Sequence, residues 1–335
     1  MTDKGRKILK LLIRAAVTSG LLIWVFHRID RQQLVEAFKT AKWYFLIAVW
    51  ALILTIYWIE SKKLMFILKK QNCVLHNTVI FRASAITAFY SLIMPGMLSM
   101  GVKWYILKKR TGKGTNVFSS MAYNQFSSIV TMTVFALAAL ILTNPAAIGI
   151  TNSKSRQLLP IFCGILLVVI VLFCLLLLNN RTGSKIISAI GYLLKPLPES
   201  IRRKARQILE QIAVFRVVGW WFHLLMILIT VVGILVGGIV MYMFAAKAAN
   251  IIVPLSVFVW LWPVIYILQR VPISIANLGV REATLATLLP IYGVAPSKAV
   301  MMSMVLFSAL VFMAIIGAVF NFSGFMMGVS QNEAV

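Results

Sequence analysis

Two short stretches of the chain place a basic residue shortly after a proline and a glycine. They read "PGMLSMGVKW" at residues 95–104 and "VPISIANLGVRE" at residues 271–282. A helix broken in this way has unpaired N–H groups where it restarts, equivalent to about half a positive charge. The adjacent Lys103 or Arg281 adds a full charge, so each break is predicted to form an anion pocket. Phosphate is the natural candidate, because a guanidinium can bind it through two parallel hydrogen bonds.

The second stretch holds an acid beside its arginine. An ionisable residue deep in a membrane is a functional candidate by default, whereas an interfacial Arg281 would only extend its charge to water. Adjacent residues on a helix diverge by about 100°, so Arg281 and Glu282 are not expected to pair with each other. A proton-coupled role for Glu282 is the alternative to a structural ion pair. The basic residues expected to meet Glu282 from other helices are Lys103, Arg14 and Lys247.

Prolines and glycines in the two stretches are expected to shape the backbone around a cavity. Irregular backbone at membrane depth survives only where protein or a water-filled cavity surrounds it. Asn124, in a third apolar segment, either faces this cavity or joins helices. A two-copy match this short can also arise by chance. The complete predicted substrate-binding set is Pro95, Gly96, Gly101, Lys103, Asn124, Pro272, Asn277, Gly279, Arg281 and Glu282.

No catalytic constellation is recognisable in the sequence. The three histidines and eight acidic residues are scattered, without metal-ligand spacing or a nucleophile elbow. Cys73, Cys163 and Cys174 lie within or beside apolar runs and indicate no disulfide framework. We therefore expect no enzyme, no catalytic residue, no metal and no cofactor.

Composition predicts the elements that must position these residues. Hydrophobic residues make up 61% of the 335-residue chain and charged residues 12%, about half the charge of a soluble domain. Continuous apolar runs favour helices over a barrel. We predict an all-α integral membrane protein, a single polytopic domain over residues 1–335 with about 7–9 transmembrane helices. The runs lie near 11–27, 43–59, 117–143, 158–178, 219–245, 252–268 and 299–327, with proline- and glycine-broken segments at 84–101 and 272–293.

Charge predicts the orientation of these segments. The positive-inside rule places the N-terminus, the lysines of residues 62–70 and the stretch 103–113 in the cytoplasm. Segment 84–101 then fits a re-entrant hairpin, whereas 272–293 is either a second hairpin or a short crossing. The basic, amphipathic connection 181–216 is predicted to be cytoplasmic, either on the anionic membrane surface or as a plain linker. We expect a multi-pass protein of the cell (inner/plasma) membrane.

The net charge of +25 has two compatible explanations. One is an amplified positive-inside rule. The other is that basic loops bind acidic lipid head groups, at about 1 kcal/mol per basic residue near the surface. Nucleic acid is not an expected partner, because no soluble domain is long enough to bind it.

The two motifs resemble a known family. "VPISIANLGVREATLATLLPIYGV" and "MPGMLSMGVKWYILKKRTG" resemble signatures of the lysylphosphatidylglycerol synthase transmembrane family, the flippase half of the multiple peptide resistance factor. The resemblance covers essentially the whole chain. It implies movement of aminoacylated phospholipids or polyprenyl-phosphate-linked molecules between leaflets, and a homodimer as an expected assembly. Because the sequence ends at Val335 without an aminoacyl-transfer domain, this chain is not expected to make such a lipid itself.

The sequence departs from the family pattern at three places. Gly101 and Lys103 stand where many relatives have an acid and an arginine, and Asn277 replaces a common glycine. Asn124 and Gln125 stand where many relatives have a Glu-Arg pair. A relay that depends on those acids is therefore not expected here.

Three functions remain open at this point. The first is a lipid translocase that binds an anionic or head-group-modified phospholipid or a polyprenyl-phosphate lipid, with phosphate held by Lys103 and Arg281. The second is a non-transporting membrane partner of a lipid or glycan assembly enzyme, which would depend on the 181–216 surface. The third is a transporter of small soluble anions through the same basic cavity.

Overall fold

Every regular element that the structure describes is helical. The structure, a computed structural model, describes residues 39–93, 96–149, 153–178, 218–269 and 279–332. A π-helical segment, Ile234–Val240, joins α7 to α8, and a short 3-10 turn, Leu289–Tyr292, follows α10. The helices are α1 (Tyr44–Lys70), α2 (Asn77–Ile93), α3 (Gly96–Thr111), α4 (Gly114–Thr143), α5 (Ala146–Gly149), α6 (Ser153–Leu178), α7 (Trp220–Gly233), α8 (Met241–Ala248), α9 (Leu255–Leu268), α10 (Val280–Leu288) and α11 (Pro296–Asn332).

Four of the described helical stretches are long and apolar enough to cross a membrane. Shorter apolar helices cover Gln157–Leu172 and Leu255–Leu268. The prediction of an all-α integral membrane protein is confirmed. The predicted run 11–27 and the connection 181–216 lie outside the described residues. The four long stretches are Tyr44–Lys70, Gly114–Thr143, Trp220–Ala248 and Pro296–Ser323.

The chain forms two compact units. Among the described residues, the first unit contains those up to Tyr57, those within Arg82–Lys103 and those from Ile234 onward. The second unit contains the described residues within Trp58–Phe81 and Trp104–Gly233. Because α1 and the α7–α8 stretch each pass from one unit into the other, neither unit is a continuous piece of sequence. The single polytopic domain stays a prediction.

Small residues let the helices of the first unit approach closely. A Cβ added at Gly317 on α11 would collide with the backbone carbonyl of Ala85 on α2, so only glycine fits this crossing. The indole of Trp50 stacks on Phe312 with ring centroids 4.8 Å apart and donates a hydrogen bond to Ser308 Oγ at 3.1 Å. The long α11 also packs against α8 and α10 and positions Ser303 beside the start of α10.

The second unit packs α4 against α6 and α7. Ile67 on α1 and Phe222 and Met226 on α7 form a buried apolar cluster, which Tyr123 on α4 partly covers. Helix α4 ends at Thr143, and the next residue, Asn144, has a left-handed backbone and donates its N–H to the carbonyl of Leu140. The apolar cluster holds α1, α4 and α7 together.

The described parts of the broken segment 84–101 belong to two helices. Helix α2 is described up to Ile93 and α3 from Gly96, and residues 94–95, which include the predicted Pro95, lie outside the described residues. Gly101 lies inside α3, which continues without a break to Thr111, and a Cβ added there would meet no atom within 4 Å. Within the described residues 96–104 of this motif, the helix has no break. A re-entrant path stays a prediction.

Candidate functional site

Helix α10 begins with a glycine in a conformation that other residues rarely adopt. Gly279 has a φ of 89°, in the left-handed region that a side chain disfavours. Its N–H donates a hydrogen bond to Glu282 Oε2 at 2.8 Å. The carboxylate thus satisfies a free donor at the helix N-terminus and lies at the positive end of the helix dipole. Glu282 is fixed by the start of its own helix.

Arg281, Glu282 and Ser303 form a closed network beside this turn. Arg281 Nη2 lies 2.7 Å from Glu282 Oε1, and Arg281 Nε donates to Ser303 Oγ at 2.7 Å. Ser303 Oγ in turn donates to Glu282 Oε1 at 2.8 Å. The arginine and glutamate side chains are only 6% and 9% exposed. Each side chain therefore contacts the other two in a nearly dry environment.

The prediction that Arg281 and Glu282 do not pair with each other was wrong. Glu282 bends back toward Gly279, and the long arginine side chain bends around Ser303, so the two meet although their Cα–Cβ bonds diverge. Of the partners predicted for Glu282, Lys247 lies over the rings of Phe45 and Phe244 instead. Arg14 lies outside the described residues.

Aromatic and apolar side chains surround the network. The Phe307 ring centroid lies 6.0 Å from Arg281 Cζ. Tyr242 on α8 is fully buried and lies within electrostatic range of both charges. Its ring is 5.2 Å from that of Trp262, whose buried Nε1 has no hydrogen-bond partner in the described part of the chain. The pair is thus held in surroundings where an unbalanced charge would be costly.

This arrangement differs from the free cation that the sequence indicated. The Arg281–Glu282 pair is electrically neutral, so the site does not present an open positive charge. A guanidinium has five N–H donors, and the hydrogen bonds among the described residues use Nε and Nη2. A second anion could bind the remaining donors or replace the carboxylate at Nη2. The guanidinium therefore keeps N–H donors that the described hydrogen bonds do not use.

The other predicted site residues are distributed between the two units. Lys103 is half-buried on α3 and belongs to the first unit, as does Gly96, the first residue of that helix. Asn124 belongs to the second unit, where its buried Oδ1 has no hydrogen-bond partner among the described residues. The structure therefore brings together Gly279, Arg281 and Glu282 of the predicted set. The predicted residues that lie outside the described ranges are Pro95, Pro272 and Asn277.

Sequence reasoning missed two polar residues. Ser303 lies within the apolar run of α11, where it is one of several serines and gives little signal. Lys63 was placed only in a cytoplasmic stretch of lysines beyond the predicted span 43–59, and the structure shows that it lies within α1 and is 0% exposed. Helix α1 continues to Lys70, and Lys63 shares a buried face with Ile67. The spacing of those buried positions was the signal that could have identified it.

Comparison with known families supports the sequence motifs. The family described as Lysylphosphatidylglycerol synthase TM region matches residues 11–318, which include both motifs and the whole Arg281 network. No curated protein and no solved structure matches the chain. A match over this length shows that the protein belongs to the lysylphosphatidylglycerol synthase transmembrane family.

Proposed function

We propose that this protein is a lipid translocase, without enzymatic activity, that moves an anionic or head-group-modified phospholipid or a polyprenyl-phosphate lipid between membrane leaflets. Family membership supports a role with membrane lipids. The observation that carries the finer proposal is the buried Arg281–Glu282–Ser303 network at the start of a glycine-initiated helix, in which the guanidinium already holds one anion.

The proposed step is a substitution at the guanidinium. The lipid phosphate takes the place of the Glu282 carboxylate at Arg281 Nη2, while Ser303 keeps its hydrogen bond to Nε. Glu282 keeps its bond to the Gly279 N–H, so the released carboxylate still has a donor at the helix N-terminus. Because the arginine exchanges one anion for another, it is never buried without a counter-charge, which would cost about 3–5 kcal/mol.

Transport is best tested in vesicles that contain the purified protein. Fluorescent anionic lipids in the outer leaflet are bleached by an impermeant reductant, and the protected fraction reports movement between leaflets. Arg281→Ala is expected to abolish protein-dependent movement, whereas Arg281→Lys retains a charge but loses the planar bidentate geometry and should be intermediate. Arg82→Ala is the matched control. Arg82 is an exposed arginine of the same unit as Arg281, and its Cζ lies 5.4 Å from the centroid of the Phe320 ring.

The outcomes separate the proposed function from its competitors. Unchanged lipid movement in Arg281→Ala would contradict the proposal. Flux of small anions through the same vesicles without lipid movement would favour an anion transporter. If the wild type moves neither, the docking-partner function gains support, and native mass spectrometry then shows whether a lipid that the wild type retains is lost from the variant.

A further inference from the structure

The second unit contains a buried cation that the proposed function does not use. Lys63 lies on α1 and is 0% exposed, while its neighbour Lys62 is exposed. Lysine is almost never fully buried unless it is paired, because removing an ammonium from water is costly. The surroundings of Lys63 therefore need to supply a compensating group.

The compensation that the described residues provide is incomplete. Lys63 Nζ donates a hydrogen bond to Ser128 Oγ on α4 at 2.8 Å. Within the described chain, no carboxylate lies within the 4.0 Å of an ion pair with Lys63. Glu60, three residues before Lys63, interacts electrostatically with the ammonium. Its carboxylate lies beside α7, where Glu60 Oε1 is 3.6 Å from the position that a Cβ would take at Gly233. An ammonium has three donors, and a hydroxyl partner carries no counter-charge.

The face of α4 that meets Lys63 carries further polar groups. Ser120, Asn124 and Ser128 follow one another at intervals of four residues, so they lie on one side of the helix over about two turns. Ser120 Oγ and Asn124 Oδ1 are buried and have no hydrogen-bond partner among the described residues. Buried polar side chains are nearly always hydrogen-bonded, so two such groups on the face that holds Lys63 indicate a ligand.

We propose that Lys63, Ser128, Asn124 and Ser120 form a second binding site, for a phosphate oxyanion. The phosphate supplies the missing negative charge at Lys63 Nζ. Asn124 Oδ1 accepts a hydrogen bond from a hydroxyl of the group attached to the phosphate, and Ser120, about 12 Å from Ser128 along α4, contacts the far end of that group. A lipid head group and free inorganic phosphate share this chemistry. Because Lys63 is fully buried, α1 and α4 must move apart for the ligand to enter. The site lies in a different unit from Arg281 and does not depend on the proposed transport.

Binding is tested with the full chain purified in a non-ionic detergent. The probes are dioctanoyl phosphatidylglycerol, inorganic phosphate and, as the phosphate-free control, dioctanoylglycerol. Bound species are counted by native mass spectrometry, and half-saturation is measured from the ligand-dependent shift in melting temperature. Lys63→Met is expected to raise the half-saturating concentration at least about tenfold, since a hydrogen bond to a charged group is lost together with the charge.

Matched variants separate the site from general effects of charge. Lys62→Met removes an exposed lysine of the same helix and should bind like the wild type. Ser128→Ala keeps the cation and should weaken binding by a smaller factor. If Lys63→Met does not fold, Lys63→Gln and Ser128→Ala are compared with the wild type in the same binding assays. A response to the lipid but not to inorganic phosphate identifies a head-group site, and a response to both identifies a general phosphate site.

The proposal is overturned if the Lys63 and Ser128 variants bind every probe as the wild type does, which would make the Lys63–Ser128 contact purely structural. It is also overturned if dioctanoylglycerol binds as well as the phosphate probes. Lipid movement by the Arg281 variants is measured separately in vesicles. Failure of the Lys63 site therefore leaves the proposed function intact, and failure of transport leaves the Lys63 site intact.

Discussion

The two units bury a basic residue in different ways. In the first unit, Arg281 has a carboxylate at 2.7 Å and shares Ser303 with it. In the second unit, the ammonium of Lys63 has a hydroxyl at 2.8 Å and no carboxylate at ion-pair distance in the described chain. The first cation is neutralised by the protein itself. The second has a neutral hydroxyl as its hydrogen-bond partner, and the nearby acid, Glu60, interacts with it without an ion pair at 4.0 Å or less in the described chain.

The two arrangements respond differently to the loss of one charge. A buried pair contributes little net stability, yet removing one partner costs about 3–5 kcal/mol because the other charge stays behind. When a buried cation has no acid at ion-pair distance, its removal leaves no unpaired carboxylate behind. Substitutions that remove a single charge should therefore have opposite consequences in the two units.

Glu282→Ala should have the largest effect on stability. It leaves Arg281 buried without a counter-charge and also removes the acceptor of the Gly279 N–H. We expect a loss of about 3–5 kcal/mol in the free energy of unfolding, measured by denaturant titration of the purified protein. The double variant Arg281→Met with Glu282→Leu should recover most of this loss, because no charge is then stranded. Additive losses in the double variant would contradict the coupling.

Ser303→Ala should have the next largest effect. The hydroxyl accepts from Arg281 and donates to Glu282, so its removal leaves one donor and one acceptor of the pair without their partner. The expected cost is about 1–3 kcal/mol. Ser323→Ala on the same helix is a suitable control, because that hydroxyl bonds only to the carbonyl of Phe320 in the described chain. Equal melting temperatures for the two variants would show that Ser303 is not part of the network.

Gly279→Ala should cost less than loss of the network, because it strains the backbone without removing a charge. A Cβ at a φ of 89° is disfavoured, and we expect a loss of about 1–2 kcal/mol. Gly101→Ala is the matched control, since Gly101 lies inside α3 with nothing within 4 Å of an added Cβ. It should be neutral or more stable by about 0.5–1 kcal/mol. Equal losses at both glycines would contradict the backbone argument.

The sequence predicted the helices better than the contacts between side chains. Apolar runs identify helices because hydropathy is a local property. The spacing of Gly279 and Glu282 is that of a capping box, a local pattern from which the hydrogen bond between them could be predicted. Ser303 was not predictable, because it lies 21 residues from Glu282 on another helix.

Lys63 shows why a hydropathy run ends too early. The predicted span stopped at residue 59, because Glu60, Lys62 and Lys63 interrupt the apolar run. The helix continues to Lys70, with Leu64, Ile67 and Leu68 buried at helical spacing. Which of two adjacent lysines is buried depends on the face that meets α4, and this is a tertiary property. Periodicity could identify the face, but only the packing shows that Ser128 lies opposite.

Lys63→Met should have the smallest effect on stability and gives the sharpest contrast with Glu282→Ala. Methionine has a similar shape and no charge to desolvate, and its introduction strands no carboxylate at ion-pair distance in the described chain. Replacing buried charge by apolar side chains is often neutral or stabilising, so the free energy of unfolding should change by less than about 1 kcal/mol or rise. A loss as large as that of Glu282→Ala would contradict the comparison, because Lys63 would then be held by a structural partner. A folded Lys63→Met variant that no longer binds phosphate would show that this lysine is retained for its ligand at the expense of stability.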